Sequence, residues 1–545
     1  MRRTRFDDNQ PGTNGRAISA ACIQAFLIAS LLLIAPRAAA SPGLRIGQIA
    51  IRTVDVFSPE EASRGWFYRA TNVLHVRTRT SVIRKFLLFR EGDPYDPNRL
   101  AESERNLRRL GFLKSATVTT APSHDSVVDV EVYTQDTWTT EPGISYGYRG
   151  GQTTYGFQLK EKNLFGTGRA LLFNYDKELD RITRSVEIKD PRLFGPYWNG
   201  HVTFAANSDG HERLAQIERP FYSFTTPWAV STVYDDLRQT ERTYQAARSS
   251  TAFRQDHTQI RVDLGVALTA NPMHARRLSL GFESLDDSFH HLAGRPDDTL
   301  PDLRRFRYLF LAYEDVENDF LKLNCVHRGL RFEDFSLARE LSARIAVSPA
   351  FGAGRSTLHL RLTGHEGARL GKYGFVQGGI SYETRWDRRP QNVILSATGA
   401  CIIKYATPVI QTTVMRLQYD RGWHLDRDVQ FFADGETGLR AYRLHAFAGD
   451  RRIIGNIEHR IFARREILQL VTPGAAVFFD CGAAAPPGQT LRLAGIRSDI
   501  GAGVRLGIAR AESHNIIRID FAYALDRDPL GRGRFLISFA AGQAF

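Results

Sequence analysis

The chain has 545 residues, 24% of them charged, with a formal net charge of +13 and a mean hydropathy of −0.30. That length exceeds one ordinary soluble core, so at least two units are expected. The polar average does not exclude a membrane barrel, where only alternate residues face lipid. Arg and Lys are spread along the chain, which argues against a nucleic-acid partner and for a wet lumen and anionic lipid headgroups.

Residues 1–40 read as a secretory leader. Arg2, Arg3, Arg5 and Arg16 precede an apolar run from Ala17 to about Pro36, and Ala38-Ala39-Ala40-Ser41 gives an A-x-A exit. Beyond it no apolar stretch is long enough for a membrane helix. Cys325, Cys401 and Cys481 remain after cleavage; three cysteines with no C-x-x-C support neither a disulfide framework nor a zinc site.

Residues 41–136 read as a small α/β domain of order strand, helix, helix, strand, strand. Ile49, Ile51, Val54 and Val56 form the strand-like opening, and Val82, Ile83, Phe86 and Leu87 share a helical face. After the Gly92-Asp93-Pro94 break, Asp96 is the expected N-cap and Pro97 the first helical residue. Gly111 is the expected left-handed stop. Strands follow near Ser115–Thr120 and Val127–Tyr133.

Residues 137–545 alternate with period two. Ile144, Tyr146 and Tyr148 lead; Tyr155, Phe157 and Leu159 follow, and Ile517, Ile519, Phe521 and Tyr523 come late. The residues between them include Lys160, Asp176, Arg518 and Asp520, which suit a wet lumen better than a dry sandwich core. Trp138, Trp198 and Trp228 fall at strand ends, where interfacial girdles sit. At roughly 25 residues per strand and connection, the expected fold is an all-β transmembrane barrel of about sixteen antiparallel strands.

No chemistry of the enzyme kind is expected, and no cofactor or metal. H-E-x-x-H and P-loop patterns are absent, Gly364-His365-Glu366-Gly367 lacks a second histidine, and Gly501-Ala502-Gly503 lies in an alternating stretch.

Several runs carry a resemblance. The stretch Leu87-Leu88-Phe89-Arg90-Glu91-Gly92-Asp93-Pro94-Tyr95-Asp96, continued by Glu102 to Phe112, resembles a POTRA domain. Asn163 to Gly168 and Asp190 to Gly195 resemble the exits of the second and fourth barrel strands of the BamA/TamA-like, bacterial surface antigen superfamily. Leu439-Arg440-Ala441-Tyr442 resembles the tip of that family's lumen loop, with Ala441 where the family usually has Gly. Phe478-Phe479-Asp480-Cys481-Gly482 resembles the strand that receives it. The resemblance implies a lumen lock formed by Arg440, Tyr442, Phe478, Asp480 and Gly482. Alternation places Phe478, Asp480 and Gly482 on one face, and a lumenal Asp480 can take a guanidinium bidentately.

It also implies an outer-membrane protein that inserts or translocates unfolded outer-membrane or secreted clients. Outer-membrane lipids and periplasmic accessory proteins are further partners. A passive channel, a structural barrel or lipid and lipopolysaccharide handling are the alternatives. Closure must join the first and last strands, near Ile144 and Gly147 and near Phe539 and Phe545. Glycines at 143, 147, 150, 151 and 542 make that seam the expected weak point.

Overall fold

The computed structural model describes residues 44–121, 127–149, 152–195, 197–324, 326, 332–350, 356–405, 407, 409–467, 471–508, 516–527, 531 and 534–541. The leader, Cys325, Gly150-Gly151, Gly542 and Phe545 lie outside them.

The N-terminal domain opens with strand β1 (Arg45–Val54). Helices α1 (Pro59–Ala62), α2 (Trp66–Leu74), α3 (Thr80–Arg84) and α4 (Pro97–Arg109) follow, then β2 (Leu113–Ala121) and β3 (Val127–Asp136). The sheet order is β1-β3-β2, with β1 parallel and β2 antiparallel to β3. Ile46, Ile49, Val82, Ile83, Leu100, Leu107, Phe112, Val130 and Val132 make its core. A register shift between Ile46 and Ile49 lets both reach that core despite their odd spacing. Asp96 caps α4 by accepting from the Asn98 N–H at 2.9 Å, with Pro97 at the first turn. The stop differs from expectation. Leu110 leaves the helix extended (φ −69°, ψ 124°), so the left-handed glycine exit is not used at Gly111. The helical face expected from Val82 to Leu87 is also shorter, because α3 ends at Arg84.

The second unit is a closed antiparallel barrel. Its wall runs from Thr140–Arg149 to Phe535–Ala541, which are neighbours and close it. The described residues supply twenty strands, not sixteen. The allowance per strand was too large because many hairpins turn in one or two residues: Gln245 to Arg248, Asn271 to His274, Asp387 to Arg389. Tight turns leave about twenty residues per strand and connection.

Outward positions are apolar: Phe157, Phe173, Leu309, Ile380, Val477, Phe521 and Ile537 are exposed on the wall. Between them, Lys160, Glu283, Asp420, Arg505 and Asp520 point inward and are buried. An apolar band around a polar interior is the solution a lipid solvent demands. Trp198 and Trp228 meet edge-on at 6.4 Å at the end of the wall that faces the small domain, and Arg219 lies 3.8 Å over Trp228.

The small domain is docked on the barrel. The Arg79 N–H donates to the Gly166 carbonyl at 3.1 Å, and the Asn163 amide donates to Thr78 Oγ1 at 2.8 Å. Gly166 has φ +70°, and a methyl group there would lie 2.4 Å from the Arg77 carbonyl oxygen, so only glycine fits. Buried Glu102 on α4 accepts from Ser223 Oγ at 2.9 Å and from the Phe224 N–H at 3.0 Å. The connection between Glu317 and Glu340 is a hairpin (Phe320–Leu323 with Glu333–Ser336). It packs Leu323, Val326 and Leu337 against Phe375, Ile402 and Val414 inside the wall. Arg108 on α4 grips this hairpin bidentately, at 3.1 and 2.9 Å from Asp334.

Asp136, the last residue of β3, is fully buried at this junction, accepting from the Thr78 N–H at 2.7 Å with His75 at 3.7 Å. Burial pushes its carboxyl up to about 7 from 3.8. A raised folded value means that protonation stabilises the fold, so this contribution is complete below about pH 4 and is lost as pH rises to 7. His75, held down by burial, has the opposite sign. Comparing wild type with Asp136→Asn isolates the carboxyl. In pulse proteolysis under urea, the stability of the small domain in the intact protein should fall between pH 4 and 7 relative to the variant.

Candidate functional site

The site is an ion cluster inside the barrel. The long loop between Ile410–Trp423 and Arg451–Phe462 folds back into the lumen. Asp434 ties its turn. Its carboxylate accepts from the N–H groups of Glu436 and Thr437 at 3.0 Å and from that of His445 at 2.7 Å. Gly438 sits at φ +137°, a conformation other residues rarely adopt, and a methyl on Gly435 would lie 2.5 Å from the Tyr442 carbonyl oxygen. The turn therefore delivers Leu439 to Tyr442 in one direction.

Arg440 lands on Asp480. Nε is 2.7 Å from Oδ2 and Nη2 is 2.9 Å from Oδ1, a bidentate pair. Nη1 reaches Glu458 at 2.5 Å, and the guanidinium carbon lies over the Phe478 ring, 3.4 Å from its centroid. The Tyr442 hydroxyl donates to the Ser498 carbonyl at 3.0 Å. Gly482 stands beside Ile453, where a methyl would lie 2.7 Å from its carbonyl oxygen. The structure thus brings Arg440, Tyr442, Phe478, Asp480 and Gly482 together. Val477 and Phe479 point out to lipid between the inward residues of the same strand.

The cluster extends beyond those residues. Glu458 is shared by Arg440, Arg460 (2.8 Å) and Arg505 (3.3 Å); Asp520 is shared by Arg505 (2.6 Å) and Arg518 (3.1 Å). The Asn456 amide donates to Asp480 Oδ1 at 2.8 Å and to the Gly438 carbonyl at 2.7 Å. Asp499 accepts from the Ala441 N–H at 3.3 Å. Arg440, Glu458, Asp480 and Arg460 are all shielded from water. Sequence reading reached Asp520 and Arg518 as inward residues but not Glu458, Arg460 or Arg505. Their available signal was alternation alone, with Asn456, Glu458 and Arg460 two apart in one strand. Arg460 also donates to the Val326 carbonyl at 2.8 Å, so the hairpin entering from the small domain's side meets the cluster directly.

The expected seam residues are apart from this site. Ile144 is exposed on the first wall strand, Gly147 faces Thr154 across the first hairpin, and Phe539 faces Ile519. Gly143-Ile144-Ser145-Tyr146-Gly147 has the spacing of a hydrolase nucleophile elbow, but it lies within a strand with no helix after it, so no elbow forms.

Residues 73–135 match the POTRA family model, surface antigen variable number repeat. Over 124 residues the chain is 29% identical to the outer membrane protein assembly factor BamA of Neorickettsia risticii (strain Illinois), which covers 23% of this chain and 17% of that protein. CdiB from Acinetobacter baumannii is similar with a TM-score of 0.47 at 11% identity, covering 91% of this chain and 73% of that one. CdiB from Escherichia coli gives 0.44 at 10% identity, covering 96% and 97%. BamA from Haemophilus ducreyi lacking POTRA domains 1–3 gives 0.38 at 12%, covering 91% and 84%.

Arg440 and Asp480 should behave as one unit. Removing one partner of a buried pair strands the other, at about 3–5 kcal/mol. A double-mutant cycle of Arg440→Ala and Asp480→Ala on barrel stability should be strongly non-additive, with the double variant little worse than either single. Arg440→Lys should fail to restore stability, because an ammonium can neither chelate both oxygens nor stack on Phe478.

Proposed function

We propose that this chain, an outer-membrane barrel of the BamA-like assembly and translocation superfamily with a POTRA domain at its periplasmic mouth, inserts unfolded client proteins into the outer membrane or passes them across it. The work is non-covalent. The observation that carries this reading is a twenty-strand barrel with two segments folded into its lumen, one of them gripped by a soluble domain.

The β2 strand lies at the edge of the POTRA sheet, with Thr117, Thr119 and Thr120 exposed. A client segment can add to such an edge by main-chain pairing, which reads strand-forming ability rather than sequence. At the wall, closure joins Phe535–Ala541 to Thr140–Arg149, and Gly143 and Gly147 on the latter have no side chain to pack, so the seam is the cheapest place to part. An edge opened in lipid is costly until another strand pairs with it, and a client strand supplies that pairing. Periplasmic accessory proteins and outer-membrane lipids are the remaining partners of this reading.

Coupling between the two units has a material route. Arg108 holds Asp334 on the hairpin, Val326 of the same hairpin accepts from Arg460, and Arg460 shares Glu458 with Arg440. Movement of the POTRA domain therefore pulls on the cluster that fixes the lumen loop.

Two experiments address this reading. Cysteines paired across the seam, one on Thr140–Arg149 and one on Phe535–Ala541, in a background lacking the native cysteines, should abolish client assembly or release when oxidised and restore it when reduced. Full activity of the locked protein, with steady conductance through the wild type, would instead support a passive channel. In planar bilayers, Arg108→Ala should increase the frequency of brief openings without changing their size. Indistinguishable traces would remove the coupling route.

A further inference from the structure

Helix α2 is built inside out. Its packed side is its polar side. Asn72 accepts from the Phe57 N–H at 3.1 Å and donates to the Phe57 carbonyl at 2.8 Å, and the Tyr68 ring meets Phe57 edge-on at 4.9 Å. Trp66, Phe67, Ala70, Val73 and Leu74 share the opposite face at helical spacing. Trp66 is 75%, Val73 83% and Leu74 75% exposed. A surface helix of a water-soluble domain turns such a stripe toward its core. Here the core is complete without it, and the stripe points away.

What lies opposite is set by where the helix is tied. Three residues beyond Leu74 the chain touches the barrel's periplasmic rim, through the Arg77 carbonyl against Gly166 and the Arg79 N–H to the Gly166 oxygen. Val76 is itself exposed and abuts that turn, whose neighbouring Phe165 is also exposed. The turn ends the wall strand that carries Phe157 and Leu159 into the lipid-facing band, so the chain leaving the helix is tied at that band's lower edge. Arg64, Arg69 and Arg79 are exposed cations near the stripe, while the neighbouring acids are engaged: Asp55 with Arg77 and His75, buried Asp136 with the Thr78 N–H, and Glu60 and Glu61 on α1 with Ser58. An apolar face with tryptophan and phenylalanine, edged by arginine, is the composition of a helix lying in a membrane interface.

We propose that Trp66–Leu74 is an interfacial anchor in the periplasmic leaflet of the membrane the barrel spans, its apolar stripe among acyl chains and Arg64, Arg69 and Arg79 at the lipid phosphates. The anchor fixes the POTRA domain's tilt from its outer side, while α4 holds it from the lumen side.

The test uses the full-length protein, with native cysteines replaced, in vesicles of phosphatidylethanolamine and phosphatidylglycerol. A nitroxide is placed at Val73→Cys or, as the water-facing control, at Thr119→Cys on β2; both positions are exposed, so neither label disturbs packing. Collision with dissolved oxygen should exceed collision with a water-soluble nickel chelate at 73, and the order should reverse at 119. Nickel-dominated relaxation at both positions overturns the anchor. A label at 73 shielded from both reagents also overturns it and shows that protein, a second copy or a client, covers the stripe.

Discussion

Hydrocarbon offers a backbone N–H no partner, and the rest of this molecule is arranged around that fact. A sheet in lipid must pair every strand on both sides, which forces closure. Closure with twenty strands leaves an interior that inward side chains alone do not fill. Two segments enter it from opposite mouths: the loop carrying Arg440 and the hairpin carrying Val326. Both finish on the strand Arg451–Phe462, at Glu458 and Arg460, two residues apart. The wall supplies the enclosure, and that strand supplies the meeting point.

Charge is how the interior is held without being fluid. Burying a guanidinium costs several kcal/mol unless its donors are met, and in this cluster Glu458 and Asp520 each serve more than one arginine. Glycines on the wall make the room: a methyl at Gly501 would lie 2.2 Å from the Phe478 ring, and one at Gly503 would lie 2.2 Å from Asp520. Small residues opposite large planar ones let Arg440 stack on Phe478 while it chelates Asp480. The stretch Gly501-Ala502-Gly503 thereby has a packing role.

Local rules in the chain reached some of this and not the rest. Period-two alternation sufficed to put Phe478 and Asp480 inside and Phe479 outside, because a strand's faces are set by parity alone. The pairing of Arg440 with Asp480 came from resemblance to a motif, since a sequence separation of 40 carries no distance information. Glu458, Arg460 and Arg505 stayed hidden because their partnership depends on cross-wall register, which no single strand encodes. The hairpin Phe320–Ser336 reads like any other pair of short strands, and only its contacts reveal that it left the wall. Helix α2 was missed for the opposite reason: its stripe is regular, but nothing in regularity says whether a face looks toward a core or away from one.

Buried ions differ from exposed ones in what the surrounding electrolyte can do to them. Mobile salt weakens an ion pair only where it can approach, and its reach at physiological strength is about 8 Å through water. Arg440, Glu458, Asp480 and Arg505 share a space that water does not enter. This ion cluster is therefore deaf to changes in the salt around the barrel. Release requires a mechanical event that first admits water, and only parts attached to the cluster can cause one.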